Sequence, residues 1–337
     1  MKAAVFHGDG VLRIEERPEP GVEAPDDVIV AVEACGVCGT DLQILNVPPG
    51  HPADPGVVMG HEFMGRIAAA GSEAQAAGLR AGQRVAVDPD PNCGVCRYCR
   101  AGRPANCLNV RALGIFRDGA LTSLVKAPAN AVFPLADGPR MEVAALIEPL
   151  ACVVNGASKA NPRPGESAVI FGAGAIGCLF LAVFRASGAG PVFVVEPSPD
   201  RRKVADAVGA DETLAPDEFA ARRPDLLPEG AELLVDAVGT QFGSAVEHAA
   251  LGARIVLFGQ NQNARPPIHQ YSITERSLSV FGSYITNFTF PTAIRMVESG
   301  ALRLEPIVTH VLPLDQTLAG LDLLRSGQAT KVVVLPQ

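Results

Sequence analysis

Ser167-Ala168-Val169-Ile170-Phe171-Gly172-Ala173-Gly174-Ala175-Ile176-Gly177 decides the fold of this chain. Its first five residues form a short apolar run, the pattern of a strand buried on both faces. Glycines 172, 174 and 177 then give the form Gly-x-Gly-x-x-Gly, and Ile176 to Ala186 continues with the apolar spacing of a helix. Strand, glycine turn and helix in that order open a dinucleotide-binding unit. Gly172 permits the tight turn, Gly174 lets a pyrophosphate approach the backbone, and Gly177 lets the helix pack on the sheet. The helix N-terminus attracts the phosphates. A lone glycine motif is weak, but Glu196 adds to it. It ends the next strand, Pro191-Val192-Phe193-Val194-Val195-Glu196, 19 residues after Gly177, where a ribose-binding acid is expected. A carboxylate there accepts the ribose hydroxyls and repels a 2'-phosphate, so NAD is expected over NADP. The plain alternative is a surface glutamate after a strand. Arg201 is placed beside the adenine or its ribose, or else is a solvated helix-start arginine.

The pattern repeats downstream. Arg201 to Val208 reads as a helix closed by Gly209, and Leu233 to Val238 and Arg254 to Phe258 read as further strands. This alternation predicts a parallel sheet with helices on both faces, an α/β fold. Upstream, the first 150 residues are β-rich and irregular. Val28 to Ala34, Gly65 to Ala68 and Arg84 to Val87 are strand candidates, and Met1 to Phe6 reads as a first strand. Prolines 48, 49, 52 and 55 make the approach to His61 a loop, so the apolar run Val57 to Gly60 is expected to place His61 and Glu62 at the end of a strand. After about residue 290 the chain is expected to return to the first domain through Val308 to Leu312 and Lys331 to Leu335. The expected organisation is 1–150 with a lobe near 89–110, then 151–288, then 289–337.

Two groups of residues point to metal. Cys93, Cys96 and Cys99 are spaced by three, and Cys107 follows eight residues later. Four thiolates on a short lobe form a closed tetrahedral zinc site, with Gly94 and Gly102 allowing the turns. Closed sulfur coordination leaves no place for substrate, so that metal is expected to be structural. Cys38, His61, Glu62 and Glu148 are a different set: one thiolate, one imidazole and oxygen donors. Catalytic zinc takes about three protein ligands and leaves a position open. Taken singly, each has a plain alternative: Cys35 and Cys38 as buried thiols, His61 as a satisfied core histidine, Glu148 as a surface carboxylate. Their conjunction with the dinucleotide motif points to a zinc ion facing NAD.

Composition narrows the function. The chain has 337 residues, 48% of them hydrophobic and 19% charged, as expected for roughly two domains with sizeable cores. A net charge of -8 excludes a broad nucleic-acid footprint. No apolar run reaches the roughly 20 residues of a membrane span. Of the eight cysteines, four crowd between 93 and 107 at metal-ligand rather than framework spacing, and a disulfide scaffold is not expected in a chain of this size, which suggests a reducing cytoplasm. A small hydroxylated substrate and a homodimer or homotetramer are expected, with no nucleic-acid or membrane partner.

These motifs resemble the zinc-dependent medium-chain alcohol dehydrogenase superfamily over essentially the whole chain. Gly-Val-Cys-Gly-Thr-Asp at 36–41, Gly-His-Glu at 60–62 and Leu-Ile-Glu-Pro-Leu at 146–150 are most similar to the sorbitol (L-iditol) and polyol dehydrogenase branch. The stretches 118–121 and 306–310 are similar too. Threonine and butanediol dehydrogenases share most of these motifs. The resemblance implies a Rossmann doubly wound domain plus a β-rich GroES-like catalytic domain, with two zinc ions per chain. It implies that Cys38 and His61 bind the catalytic zinc, that Glu62 binds it directly, as in polyol dehydrogenases, or only supports its ligands, as in other branches, and that Glu148 binds it directly or through water. It implies that Thr40 relays the substrate proton and Asp41 orients His61. NAD contacts are implied at Ile176, Glu196, Arg201, Phe258, Gly259, Phe281, Gly282 and Ser283. The implied reaction is reversible oxidation of a secondary alcohol to a ketone. A threonine or small-diol dehydrogenase is the alternative; a zinc-less, non-catalytic NAD-binding relative is disfavoured by the intact Cys38, His61 and Glu148. The chain departs from the branch at Gln43 and Asn155, where relatives carry histidine, and at Gly282, where sorbitol dehydrogenases carry arginine. Gln43, Tyr284, Asn287 and Thr289 are polar candidates for substrate contact.

Overall fold

The computed structural model describes residues 1–337. The chain forms two compact units: Met1–Ala151 with Thr286–Gly300 and Val308–Gln337, and Cys152–Ile285 with Ala301–Ile307.

In the second unit the strands are β1 (Ala168–Phe171), β2 (Val192–Val195), β3 (Glu212–Leu214), β4 (Ala231–Asp236), β5 (Ala249–Leu257) and β6 (Ser279–Gly282). All neighbouring pairs are parallel, in the order β3-β2-β1-β4-β5-β6. This is the doubly wound dinucleotide-binding order. β1, β2 and most of β4 are fully buried, which is why they read as continuous apolar runs rather than alternating ones. Helix α1 (Ala175–Ala186) follows the glycine turn, and α2 (Pro199–Val208) follows β2. Ser198 caps α2 through its hydroxyl, Pro199 opens it, and Gly209 ends it at φ 119°. Two strand ends differ from the sequence reading. Val238 and Ala237 leave β4, because Asp236 turns the chain, and β5 begins five residues before Arg254.

The first unit is built on a seven-stranded sheet. Its path is Val308–Pro313, Lys331–Leu335, Asp27–Val37, Glu62–Ala70, Arg84–Val87, Val132–Pro134, with Leu124–Pro128 also on Asp27–Val37. Lys2–Phe6 pairs with Leu12–Glu16 as a separate hairpin. The core is aliphatic, with Val28, Val30, Val32, Ile67, Val85, Val87, Val332 and Val334 on the sheet. Burial of such a face is the main favourable term in its stability. The rings of Phe133 and Phe290 pack at a tilt of 31° with centroids 5.0 Å apart, tying the helix Phe290–Glu298 into this unit. The segment Ala301–Ile307 does not follow its neighbours back to the first unit. Leu302, Leu304 and Ile307 are buried within the second unit instead, beside α1 and α2.

His61 and Glu62 stand at the start of a strand, not at its end. The segment 57–60 makes only single-residue pairing: Met59 donates to the Ala4 carbonyl at 2.9 Å, and Ala120 to that of Gly60 at 2.9 Å. Gly60 has φ 93°, and a Cβ there would lie 2.8 Å from Cys35 Sγ and Leu121 Cγ. A left-handed, crowded glycine therefore ends the approach, and the Glu62–Ala70 strand begins after it.

Candidate metal centre and dinucleotide site

Cys38 is the N-cap of the short helix Gly39–Ile44. Its sulfur accepts the Thr40 N–H at 3.4 Å, and the Asp41 carboxylate accepts the Cys38 N–H at 2.8 Å. This reciprocal cap holds the sulfur at the helix start. The ligand atoms of Cys38, His61 and Glu62 lie within 4.8 Å of one another. Glu148, buried in the first turn of the helix Ile147–Ala160, lies outside that group of three.

The charge around these donors is lopsided. Asp41 Oδ1 stands 3.6 Å from His61 Nδ1, and neither atom has a hydrogen-bond partner although both are buried. Burial pushes the His61 imidazole down, but Asp41, Cys38 and Glu148 outweigh it and hold it well above its usual range. Burial pushes Glu148 up to about 8, with Glu62, Asp90 and Asp88 adding to it and His61 opposing. Asp88 is raised to about 6 and Asp90 to about 7, first by burial. Buried acids around a thiol and an imidazole, with two orphaned polar atoms, form a set deficient in positive charge. That donor chemistry fits a zinc ion.

One cation is already there. Lys331 donates to the Glu62 carboxylate; the two side chains are 2% and 1% exposed. Gly36 lies against this pair, and a Cβ on it would run into the Glu62 carboxylate. Glu62 therefore faces both the metal-ligand group and a buried ammonium. Sequence reading missed Lys331, because it sits about 270 residues away in a strand that reads as plain core. It also missed Asp88 and Asp90; an acid before each proline of Asp88-Pro89-Asp90-Pro91 was the available signal.

The four-cysteine lobe is assembled as the spacing predicts. The sulfurs of Cys93, Cys96, Cys99 and Cys107 lie within 4.8 Å of one another, with no disulfide in the chain. Backbone amides of Cys93, Cys96 and Asn109 point at these sulfurs, each at 3.4 Å. The Asn109 side-chain amide, with the backbone N–H groups of Val95 and Cys96, pulls the Cys93 thiol down to about 6. Gly94 and Gly102 have φ 67° and 71°, as the turns require.

In the second unit, the three motif glycines differ in their surroundings. Gly172 has φ 98°, and a Cβ on Gly177 would collide with the Gly172 carbonyl. A Cβ on Gly174 would meet nothing within 4 Å, so open space lies at the α1 N-terminus. Ile176 is in the first turn of α1. Glu196 follows β2 and is buried; its oxygens accept the Ala173 N–H at 2.8 Å and the Ser198 N–H at 2.9 Å. It therefore also pins the glycine turn. The Arg201 backbone N–H is capped by Ser198, whereas the Arg202 side chain is spent on the carbonyls of Glu196 and Pro197. Phe258 and Gly259 follow β5, and Phe281, Gly282 and Ser283 lie at the end of β6, so all these positions share the C-terminal edge of one sheet. Asn155 donates to the carbonyls of Tyr284 at 3.3 Å and Ile285 at 2.8 Å, which accounts for an amide at that position: it secures the chain after β6. Thr289 is not free for substrate, since its hydroxyl donates to the Ala151 carbonyl at 2.7 Å.

Two family models match the chain: the alcohol dehydrogenase GroES-like domain over residues 24–137 and the zinc-binding dehydrogenase domain over 175–299. A sorbitol dehydrogenase from Bombyx mori is 31% identical, covering 98% of this chain and 97% of its own. The chain belongs to the zinc-dependent medium-chain alcohol dehydrogenase superfamily. It is accordingly an oxidoreductase with zinc and a nicotinamide dinucleotide as cofactors. Two solved structures superpose with TM-scores of 0.91. One, 32% identical and covering 99% of each chain, is described as a zinc-binding dehydrogenase from Sinorhizobium meliloti 1021 bound to NADP. The other, 29% identical and covering 100% and 99%, is a short chain alcohol dehydrogenase from E. coli CFT073 complexed with NADH. Relatives of this dehydrogenase thus carry either dinucleotide, and the choice falls to its own residues.

Proposed function

We propose that this dehydrogenase oxidises a secondary hydroxyl of an uncharged polyol or sugar-like alcohol to a ketone, with NAD as acceptor and two zinc ions per chain. The observation that carries the substrate class is the charge around Cys38, His61 and Glu62. The groups acting most strongly on Glu148 are Glu62, His61, Asp90 and Asp88, and the buried Lys331 is held by Glu62. A substrate phosphate, or the carboxylate of threonine, would enter an acidic surround with its lysine already paired. Hydroxyl groups meet acceptors there instead.

Cys38, His61 and a carboxylate, Glu62 or Glu148, would hold the catalytic zinc. Bound in such a set, zinc supplies Lewis acidity toward the alcohol oxygen. Asp41, whose Oδ1 stands 3.6 Å from His61 Nδ1, would steady the imidazole that would hold the metal. Thr40, in the first turn beside Cys38, offers the hydroxyl that carries the substrate proton away. Gln43 cannot take that proton onward as an imidazole would. Glu196 supports NAD over NADP, because a buried carboxylate after β2 repels a 2'-phosphate. Cys93, Cys96, Cys99 and Cys107 would hold the structural zinc. Free cysteines throughout support a cytoplasmic setting. No helix is long and apolar enough to cross a membrane. The outer edge of β6, which carries no further strand, supports pairing with a second copy.

The test is dinucleotide reduction by the zinc-loaded enzyme over polyols, sugars, diols, threonine and a phosphorylated sugar alcohol. Highest kcat/KM on a neutral polyol with NAD is expected. A preference for threonine or the phosphate ester would overturn the substrate class.

A further inference from the structure

The segment Ala301–Ile307 lies against α1 and α2, held there by its buried Leu302, Leu304 and Ile307. Arg303 stands between two of these anchors and is itself exposed. Its guanidinium forms no ion pair and donates no hydrogen bond within the chain. Acids outnumber bases here, 36 Asp and Glu against 28 Lys and Arg, so an arginine without an acid is not for want of carboxylates.

Arg303 borders a cavity of about 250 Å³ on the second unit. Arg185, in the last turn of α1, borders it too. Arg185 Nη1 donates to Asp211 Oδ2 at 2.7 Å, and that oxygen also accepts the Val192 N–H at 2.7 Å. One nitrogen thus steadies Arg185, and its remaining N–H groups stay uncommitted. The interior of the cavity is apolar, lined by the buried Ala182, Val208 and Leu302. The C-terminal ends of α1 and α2 meet at this place, and the negative end of a helix dipole favours an arginine in its last turn. That accounts for Arg185. It does not account for Arg303, which belongs to neither helix and reaches no carbonyl.

We propose that this cavity is a binding site for a small organic acid, its carboxylate taken by Arg303 and Arg185 and its hydrocarbon body by Ala182, Val208 and Leu302. Guanidinium forks match the planar carboxylate, and an apolar body removes the lining from water. Inorganic phosphate satisfies the guanidiniums and leaves that lining wet. The volume lies below the roughly 300 Å³ at which ligand pockets usually start, which restricts the ligand to about the size of benzoate. Helix α1 has 12 residues, so at about 1.5 Å per residue its far end stands roughly 18 Å from the glycine turn. The acid and a dinucleotide therefore have separate places.

The experiment is calorimetric titration of benzoate, and separately of inorganic phosphate, into the zinc-loaded enzyme with and without NADH. Benzoate should bind with a Kd of about 1 mM, and NADH should change that value by less than about twofold. Phosphate should bind at least about tenfold more weakly than benzoate. Arg303→Gln should raise the benzoate Kd at least about tenfold. Ala186→Glu, at an exposed position on the same cavity, should abolish binding by offering the guanidiniums a tethered carboxylate. Benzoate held at a metal ion would be indifferent to both variants. Absence of benzoate binding up to about 30 mM, or binding that persists unchanged in either variant, overturns the site. Competition between benzoate and NADH overturns its placement, and phosphate binding as tightly as benzoate overturns the ligand class.

Discussion

Replacing Lys331 with methionine should destabilise the metal-free protein severely. Lys331 and Glu62 are 2% and 1% exposed, so removing the ammonium leaves a carboxylate buried without its cation. At an ordinary contact of about 3 Å and an effective dielectric of about 20, such a pair attracts by roughly 5 kcal/mol. Breaking a buried pair from one side costs about 3–5 kcal/mol, because the remaining charge is uncompensated. Methionine keeps most of the aliphatic volume, so little of the loss should come from packing. The assay is urea unfolding of Lys331→Met, of Glu62→Gln and of the double variant, each with and without zinc. We expect the single lysine variant to lose at least about 3 kcal/mol without zinc. Zinc should lessen the loss, since Glu62 then has another cation beside it, and Glu62→Gln in the same chain should restore most of it. A metal-free Lys331→Met protein that loses less than about 1 kcal/mol would refute the reasoning, because that is the value of an exposed pair.

Cys38→Ser should abolish turnover while leaving the fold largely intact; near-normal activity in a variant shown by metal analysis to lack the catalytic zinc would reject that ligand. Cys99→Ser should remove the other zinc and lower the melting temperature, and an unchanged melting temperature after verified metal loss would argue against a structural lobe. Wild-type enzyme should prefer NAD over NADP by at least about tenfold in kcat/KM, a difference of roughly 1.4 kcal/mol. Glu196→Ser should shrink that ratio and also weaken NAD, because the carboxylate holds the Ala173 amide as well; steady-state kinetics with both cofactors check this, and an unaltered ratio would remove Glu196 as the ribose ligand.

Local sequence was enough wherever the signal was a run of neighbouring residues. The apolar run 167–171, the three motif glycines and Glu196 specify a strand, a turn, a helix and an acid, because each acts through its own backbone. The cysteines at 93, 96, 99 and 107 specify their lobe for the same reason: the spacing itself brings the sulfurs together. Partnerships between distant segments were decided by the tertiary structure. The Glu62–Lys331 pair joins strands that are far apart in sequence but flank the same strand, Asp27–Val37, in the sheet, and nothing in the run Lys331–Leu335 distinguishes a buried ammonium from a strand-start lysine. Asp88 and Asp90 act on Glu148 only through space. Whether His61 ends or precedes a strand depended on Gly60, whose left-handed backbone is crowded by Cys35 and Leu121. Asp236 reads as the polar end of an apolar strand; its three amide partners, Val238, Gly239 and Gln241, exist only once the loop has closed around it. Local propensity and spacing determine which groups are available. Burial determines which of them must find a partner, and the fold alone settles which partner that is.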